Sequence, residues 1–288
     1  MRYAISVPNG GECADPATLS RLAQEAEMAG WDAMLLEDYL WYHNATYHSS
    51  PDAPTHDVWI GLAAMAMRTT TLRLGTCVTP LARWRPWHLE RVTTSLDHLT
   101  EGRLILGVGL GDPADKGFTH VEDGTTTVSR ATRLDEGLDI LAGLWSGGPF
   151  AYAGEVYQVK DVTFAPAPVQ RPSIPIWVGG SASTPAVIRR AARHDGICPY
   201  KLPETDDWAD FKPEEIRSLR DEIARHRPGN APFDIVVGGR QRDPDWDRER
   251  STIRALADAG ATWWHEWLPA ADFATMRSGI ARGPLRAT

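Results

Sequence analysis

Short apolar runs alternate with amphipathic stretches eight times along this chain, and that alternation limits the fold more than any other feature. Strands are read at residues 3–7, 31–36, 72–78, 104–108, 174–178, 195–200, 233–237 and 261–268. Helices are read at 16–29, 57–67, 86–99, 129–145, 185–192, 213–226, 246–259 and 270–281. The helical stretches carry an apolar face at the spacing of an α-helix: Leu19, Leu22, Ala23 and Ala26 in the first, Leu134, Leu138, Leu141 and Leu144 in the fourth. Parallel strands joined by helices take right-handed crossovers, and eight such units of regular length predict a closed (β/α)8 TIM barrel. Residues 150–170 break the alternation. Phe150 to Val159 reads as a β-hairpin and FAPAPVQRP as a proline-rich return, so a single domain over 1–288 carries an insertion at about 146–172, before strand five. An open doubly wound sheet is the alternative. It would use GVGLGD (107–112) as a nucleotide loop, but that run lacks the helix-packing third glycine and no acidic residue ends a strand about 20 positions on.

The net charge of −8 argues against nucleic acid or an anionic membrane surface as partner. No run of 18 apolar residues spans a membrane, and the N-terminus lacks the apolar stretch of a signal peptide. Cys13, Cys77 and Cys198 are odd in number, far apart and without a CxxC pair, so neither a zinc site nor a disulfide framework is expected, which suits the cytoplasm. The 12 tryptophans either fill a core or line a pocket for a flat ligand.

A TIM barrel places its chemistry at the C-terminal ends of its strands. Here those ends carry Pro8 and Asn9; Glu37, Asp38 and Tyr39; Thr76, Cys77 and Val78; Gly109; Gly179, Gly180 and Ser181; Tyr200; Gly238 and Gly239; Glu266 and Trp267. Tyr39 and His43, with Glu37 beside them, are the candidate proton-handling groups. The aromatic loop 40–55, with Trp41, Tyr42, His43, Tyr47 and His48, reads as a lid, joined by Trp84, Trp87 and Tyr200. The stretch from Ile174 to Ala192 reads as strand, Gly179-Gly180 turn and helix N-terminus with Pro185 in the first turn, an arrangement that draws an anion, although an ordinary βα turn looks the same. The nine histidines are scattered and form no metal-ligand cluster, and no nucleophile motif is present, so a bound cofactor is expected to supply the chemistry.

The residues then resemble a known family. AGWDAMLLEDY (29–39), the block 72–112 from LRLGTCVTPLARW to GVGLGD, RLDEGLDILAGLWSG (133–147), GEVYQVKDVTF (154–164), PAPVQRPSIPIWVGGS (166–181) and RRAARHDGICPY (189–200) are similar to luciferase-like oxidoreductases over nearly the whole length. The resemblance implies a TIM barrel with an inserted region that binds FMN or the deazaflavin coenzyme F420 at its mouth. It implies that Gly179, Gly180 and Ser181 hold the cofactor phosphate, with Gly109 nearby, and that Thr76, Cys77 and Val78 lie beside the ring, where deazaflavin members have a non-proline cis peptide. It further implies a separate flavin reductase if the cofactor is FMN, and a homodimer, while the aromatic lid predicts a small apolar or aromatic substrate. Two positions depart from the pattern. Tyr39 stands where many members have histidine, and Leu110 where luciferases have a phosphate-binding arginine. A flavin-binding protein without turnover is the alternative that the first departure favours. A helix N-terminus contributes about 0.3–1 kcal/mol, whereas micromolar binding needs about 8 kcal/mol, so most affinity must come from burying the ring.

Overall fold

The computed structural model describes residues 1–42, 53–111, 117–121, 125–201, 210–227 and 229–287. Its strands are β1 (Arg2–Val7), β2 (Ala33–Leu36), β3 (Arg73–Thr76) with its short continuation β4 (Thr79–Pro80), β5 (Leu104–Gly109), the hairpin β6 (Pro149–Ala153) and β7 (Gln158–Thr163), then β8 (Ile176–Ser181), β9 (Gly196–Tyr200), β10 (Asp234–Arg240) and β11 (Trp263–Trp267). The helices are α1 (Pro16–Met28), α2 (Val58–Ala66), α3 (Pro86–Leu99), α4 (Thr127–Trp145), α5 (Pro185–Ala192), α6 (Pro213–His226), α7 (Trp246–Ala259) and α8 (Phe273–Ala281). The parallel order β3-β2-β1-β11-β10-β9-β8-β5 returns on itself through the pairing of Leu74 with Leu104 and Gly75 with Ile105. The sheet is therefore a closed eight-stranded (β/α)8 barrel, as the alternation predicts.

Helix starts follow the expected capping chemistry. The side chains of Asp15, Asp57, Thr126, Asp245 and Asp272 accept from first-turn amides of α1, α2, α4, α7 and α8. The period of two along the strands sorts side chains onto two faces. Met34, Leu36, Leu74, Leu106, Val178, Ile197 and Trp264 join the large shell beneath the helices. Ala4, Ala33, Leu35, Ile105, Trp177, Val236 and Trp263 form an inner cluster, with Cys77 and Cys198 packed against it. Inside, Trp177 and Trp263 meet edge to face with centroids 5.0 Å apart, and Arg2 lies 5.4 Å over Trp263. These residues stand near the N-terminal ends of their strands and close the barrel floor, so the open end is the C-terminal mouth.

The hairpin lies in the expected insertion, but its second strand runs on past Val159 to Thr163, and it is fastened to the barrel by carboxylates. Glu136 on α4 accepts from the backbone N–H of Glu155, Val156 and Tyr157 at 2.6–3.1 Å. Asp97 on α3 holds the return leg through the N–H of Val169 and Gln170 at 2.7 and 3.0 Å. Among the described residues no helix is long and apolar enough to cross a membrane.

Three local expectations are corrected. Gly179 and Gly180 do not end strand five: β8 runs through both to Ser181, pairing Gly179 with Cys198 and Gly180 with Pro199. β10 likewise continues through Gly238 and Gly239 to Arg240. Trp87 does not cap the mouth: it lies on Tyr157 under the hairpin, whereas Trp84 packs at right angles on Trp59 and lies by the Asp38 carboxylate at the end of β2. The body of Trp87 is taken up by packing, which the sequence alone does not distinguish from pocket lining.

Candidate functional site

The end of β2 brings the candidate proton-handling residues to the mouth, each in a different setting. Glu37 is half-buried, and its Oε1 accepts from the Trp267 indole N–H at 3.0 Å across the β1 strand. Asp38 turns the other way and is buried. Arg83, on the 3-10 turn Leu81–Arg83, donates at 2.6 Å to its Oδ1 and at 2.6 Å to its carbonyl. Burial pushes the Asp38 carboxyl up, and the Arg83 charge opposes that shift. Asp38 thus braces two strand ends. Tyr39 is held by its backbone: the Asn9 amide donates to the Tyr39 carbonyl at 2.8 Å and accepts from its N–H at 3.0 Å. Its ring packs edge to face on Tyr42 at 5.5 Å. His43 lies outside the described residues, as do Tyr47 and His48 of the expected lid.

The β3–β4 bulge lies alongside the ends of β5 and β8. Thr76 is fully buried, and its hydroxyl donates to the Gly107 carbonyl at 2.8 Å, so it faces the neighbouring strand rather than the mouth. The Cys77–Val78 peptide is cis. Val78 fills the space that two glycines leave: a Cβ on Gly109 would lie 2.8 Å from Val78 Cγ2, and one on Gly179 would lie 2.9 Å from Val78 Cγ1. Gly180 makes room on the other side, where a Cβ would lie 2.7 Å from Val187 Cγ2 of α5. These three glycines are therefore needed for packing, whatever else touches them. Cys77 and Cys198, remote in sequence, become neighbours inside the barrel. The Cys77 thiol beside it, and then burial, push the Cys198 thiol well above its ordinary range.

At the β8–α5 turn Ser181 is buried, with its Oγ 2.9 Å from Ser183 Oγ. The Ala182 N–H donates to the Tyr200 carbonyl at 3.0 Å and the Thr184 N–H to the Ser181 carbonyl at 3.1 Å. Pro185 has no N–H to offer. The turn therefore presents two hydroxyls more than a row of free amides. Leu110 supplies no cation at the end of β5. Arg83 and Arg130 both lie near Phe118 there, 5.9 and 4.8 Å from the centre of its ring. Arg130 is 6% exposed, and its Nε has no hydrogen-bond partner among the described residues.

Sequence reasoning missed the polar pair inside the lumen. His265 on β11 has Nε2 2.6 Å from Ser6 Oγ on β1, and both are buried. Burial pushes the imidazole down to about 4, so it is neutral at pH 7. Alternation in ATWWHEWL puts His265 and Trp264 on opposite faces, but which face is the lumen is fixed only when the barrel closes.

The inner face toward the mouth carries groups that suit a flat ring. Its floor is aromatic, its walls carry alanine, glycine and thiols, and an unspent imidazole nitrogen lies within it. The model of the luciferase-like monooxygenase family matches residues 1–258. An F420-dependent glucose-6-phosphate dehydrogenase of Microbacterium testaceum is 35% identical over 171 residues, which are 58% of this chain and 47% of that protein. The match thus spans about half the length of that relative. The coenzyme F420-dependent tetrahydromethanopterin reductase of Methanopyrus kandleri superposes with a TM-score of 0.75 at 16% identity, covering 98% of this chain and 96% of that one. The monooxygenase RslO1 of Streptomyces bottropensis does so with a TM-score of 0.74 at 20% identity, covering 97% and 96%. At such identities these two likenesses are of fold. With the family model matched over most of its length and the barrel closed as that family's folds are closed, the chain belongs to the luciferase-like monooxygenase family.

Proposed function

We propose that this protein is an oxidoreductase that holds a flavin-type cofactor, F420 in the first place, at the barrel mouth and uses it to move a hydride to or from a small apolar or aromatic organic molecule. The observation that carries the reading is the inner face of the barrel: the Trp177–Trp263 pair at the floor, small side chains above it, and Glu37, Tyr39, Tyr42 and Trp267 around the mouth. The 35% identity to a relative named as F420-dependent favours the deazaflavin. Bound there, F420 supplies a hydride donor or acceptor at its ring. The chain's residues do the rest. Cys77 and Val78 would lie against one side of the ring, with Thr76 holding their strand to β5. Gly109, Gly179 and Gly180 let Val78 and α5 close in, and Ser181 with Ser183 would take the phosphate. Glu37 and Tyr39, with His43, are the proposed proton-handling groups.

The family match also supports a second reading, an FMN-dependent monooxygenase fed by a separate flavin reductase. Either form would be a cytoplasmic homodimer. Titration of the purified protein with F420 and with FMN, each oxidised and reduced, is read by quenching of the 12 tryptophans. Saturable micromolar binding of F420 in preference to FMN is the expected result and turns the search to carbonyl, imine and alkene substrates. Preference for reduced FMN would establish the second reading. Absence of quenching by either would overturn both. Binding without any substrate-dependent reoxidation across a broad panel would leave a flavin-binding protein without turnover.

A further inference from the structure

Besides Glu37–Trp267 and Trp177–Asp234, the inner face of the barrel carries a polar pair that joins β1 to β11, Ser6 and His265. His265 is flanked in the sheet by two small residues, Ala4 on β1 and Gly238 on β10. It is 8% exposed, Ser6 is 1% exposed, and the imidazole Nε2 lies 2.6 Å from the Ser6 hydroxyl. That hydroxyl has no other hydrogen-bond partner among the described residues, and Nδ1 of His265 has none at all among them. These facts select a tautomer. A buried O–H left unpaired is costly, and the Ser6 proton has one acceptor in reach, Nε2. Ser6 therefore donates, Nε2 accepts, and the single proton of the neutral ring resides on Nδ1. The result is an N–H donor on the inner face of the barrel, in a residue over nine-tenths buried and with no acceptor among the described residues.

We propose that His265 Nδ1–H is the lumen's recognition donor for a carbonyl-type oxygen of the molecule bound there, with Ser6 as the positioning residue that fixes its tautomer. This rests on the reading that a flavin-type ring binds in the lumen. The oxygen can come from a ring carbonyl of the cofactor or from a carbonyl substrate lying on it; the chemistry is the same. A donor fixed in advance in a dry site loses little on binding, and it strengthens as charge gathers on the oxygen it faces. It also gives the chain a polar group inside the barrel that does not depend on the histidine replaced by Tyr39.

The test is long-range 1H–15N spectroscopy of protein labelled at histidine, with the His265 signals assigned by their loss in His265→Gln. The free protein is expected to show a protonated Nδ1 and a bare Nε2 at pH 7. Ser6→Ala is expected to release the ring into a mixture of tautomers, which a purely packing role for the hydroxyl would not do. Addition of F420 or FMN to saturation, with binding followed separately by tryptophan quenching, is expected to move the Nδ1–H proton downfield. In parallel, His265→Gln is expected to bind three- to tenfold more weakly. A shift with the cofactor alone assigns the oxygen to the ring. A shift only after cyclohexanone is added to the complex assigns it to the substrate. An Nε2-protonated ring in the free protein, or an unmoved Nδ1–H in a complex that demonstrably forms with both additions, overturns the inference and leaves the cofactor reading standing. Failure of the wild type to bind either cofactor removes both.

Discussion

Val78 sits in the space that Gly109 and Gly179 leave for it, and the tightness of that fit sets what each residue tolerates. Gly179→Ala puts a methyl 2.9 Å from Val78 Cγ1 and is expected to cost about 1–3 kcal/mol, as overpacked cores do. Adding Val78→Ala should recover part of that loss, and urea denaturation of the two single variants and the double variant measures the difference. His265 carries a second consequence at this scale. Its folded value, about 4, lies below the ordinary histidine value of 6.5, so between those pH values the unfolded chain binds the extra proton. Stability must therefore fall as pH drops from about 6.5 to about 4, by up to ~3 kcal/mol from this one group. His194, also pushed down to about 4 by burial, adds to the same slope. Denaturation midpoints of wild type and His265→Gln over pH 4–7 should differ in slope, with the variant flatter. Equal slopes would show that the ring titrates as it does in water.

At the scale of elements, the turn of the hairpin is gathered by one side chain of α4. The carboxylate of Glu136 takes three successive amides of the β6–β7 turn, and nothing of comparable charge replaces it there. Glu136→Ala is expected to cost about 2 kcal/mol and to speed amide exchange at residues 155–157 well before exchange in β8 changes. Uniform acceleration through the barrel would show that hairpin and barrel open together. The existence of the hairpin, and the existence, order and approximate ends of all eight strand–helix units, are legible in the sequence, because caps, apolar periodicity and turn residues act over a few positions. The ends of β8 and β10 are not. Glycine pairs look like turns locally, yet here the pairing of Gly179 with Cys198 and of Gly238 with His265 keeps both inside the sheet.

For the whole molecule, closure joins the first strand to the last, and a buried charge cluster stands behind that seam. Glu266 on β11 is fully buried and accepts from Arg242 at 2.6 Å and from Arg282, beyond α8, at 3.1 Å. Arg242 also donates to the Gly283 carbonyl at 2.6 Å, and the Tyr3 hydroxyl of β1 accepts from the Ala287 N–H at 2.9 Å. Burial pushes the Glu266 carboxyl up, and Arg242 opposes it. Glu266→Ala would leave the buried Arg242 guanidinium without a carboxylate and is expected to cost about 3–5 kcal/mol. Because it acts at the closing seam, the loss should appear as one cooperative transition shifted to lower urea, and a separate early transition of the C-terminal segment would contradict it.

The sequence by itself determined the eight repeated units, the inserted hairpin, the capping residues and the family resemblance, since each is written in neighbouring positions. It also placed Glu37, Tyr39, Cys77, Val78 and Ser181 at strand ends, where barrel geometry collects them. Only the tertiary structure decided how those residues are used: that Thr76 faces Gly107, that Val78 occupies the glycines, that Glu37 pairs with Trp267, and that Cys77 and Cys198 are neighbours. The same holds for Ser6 and His265, which stand 259 positions apart in the chain. Alternation along a strand fixes that successive side chains face opposite ways, but not which way is inward. That phase, and with it the lumen's chemistry, is set by the closure of eight strands onto one another.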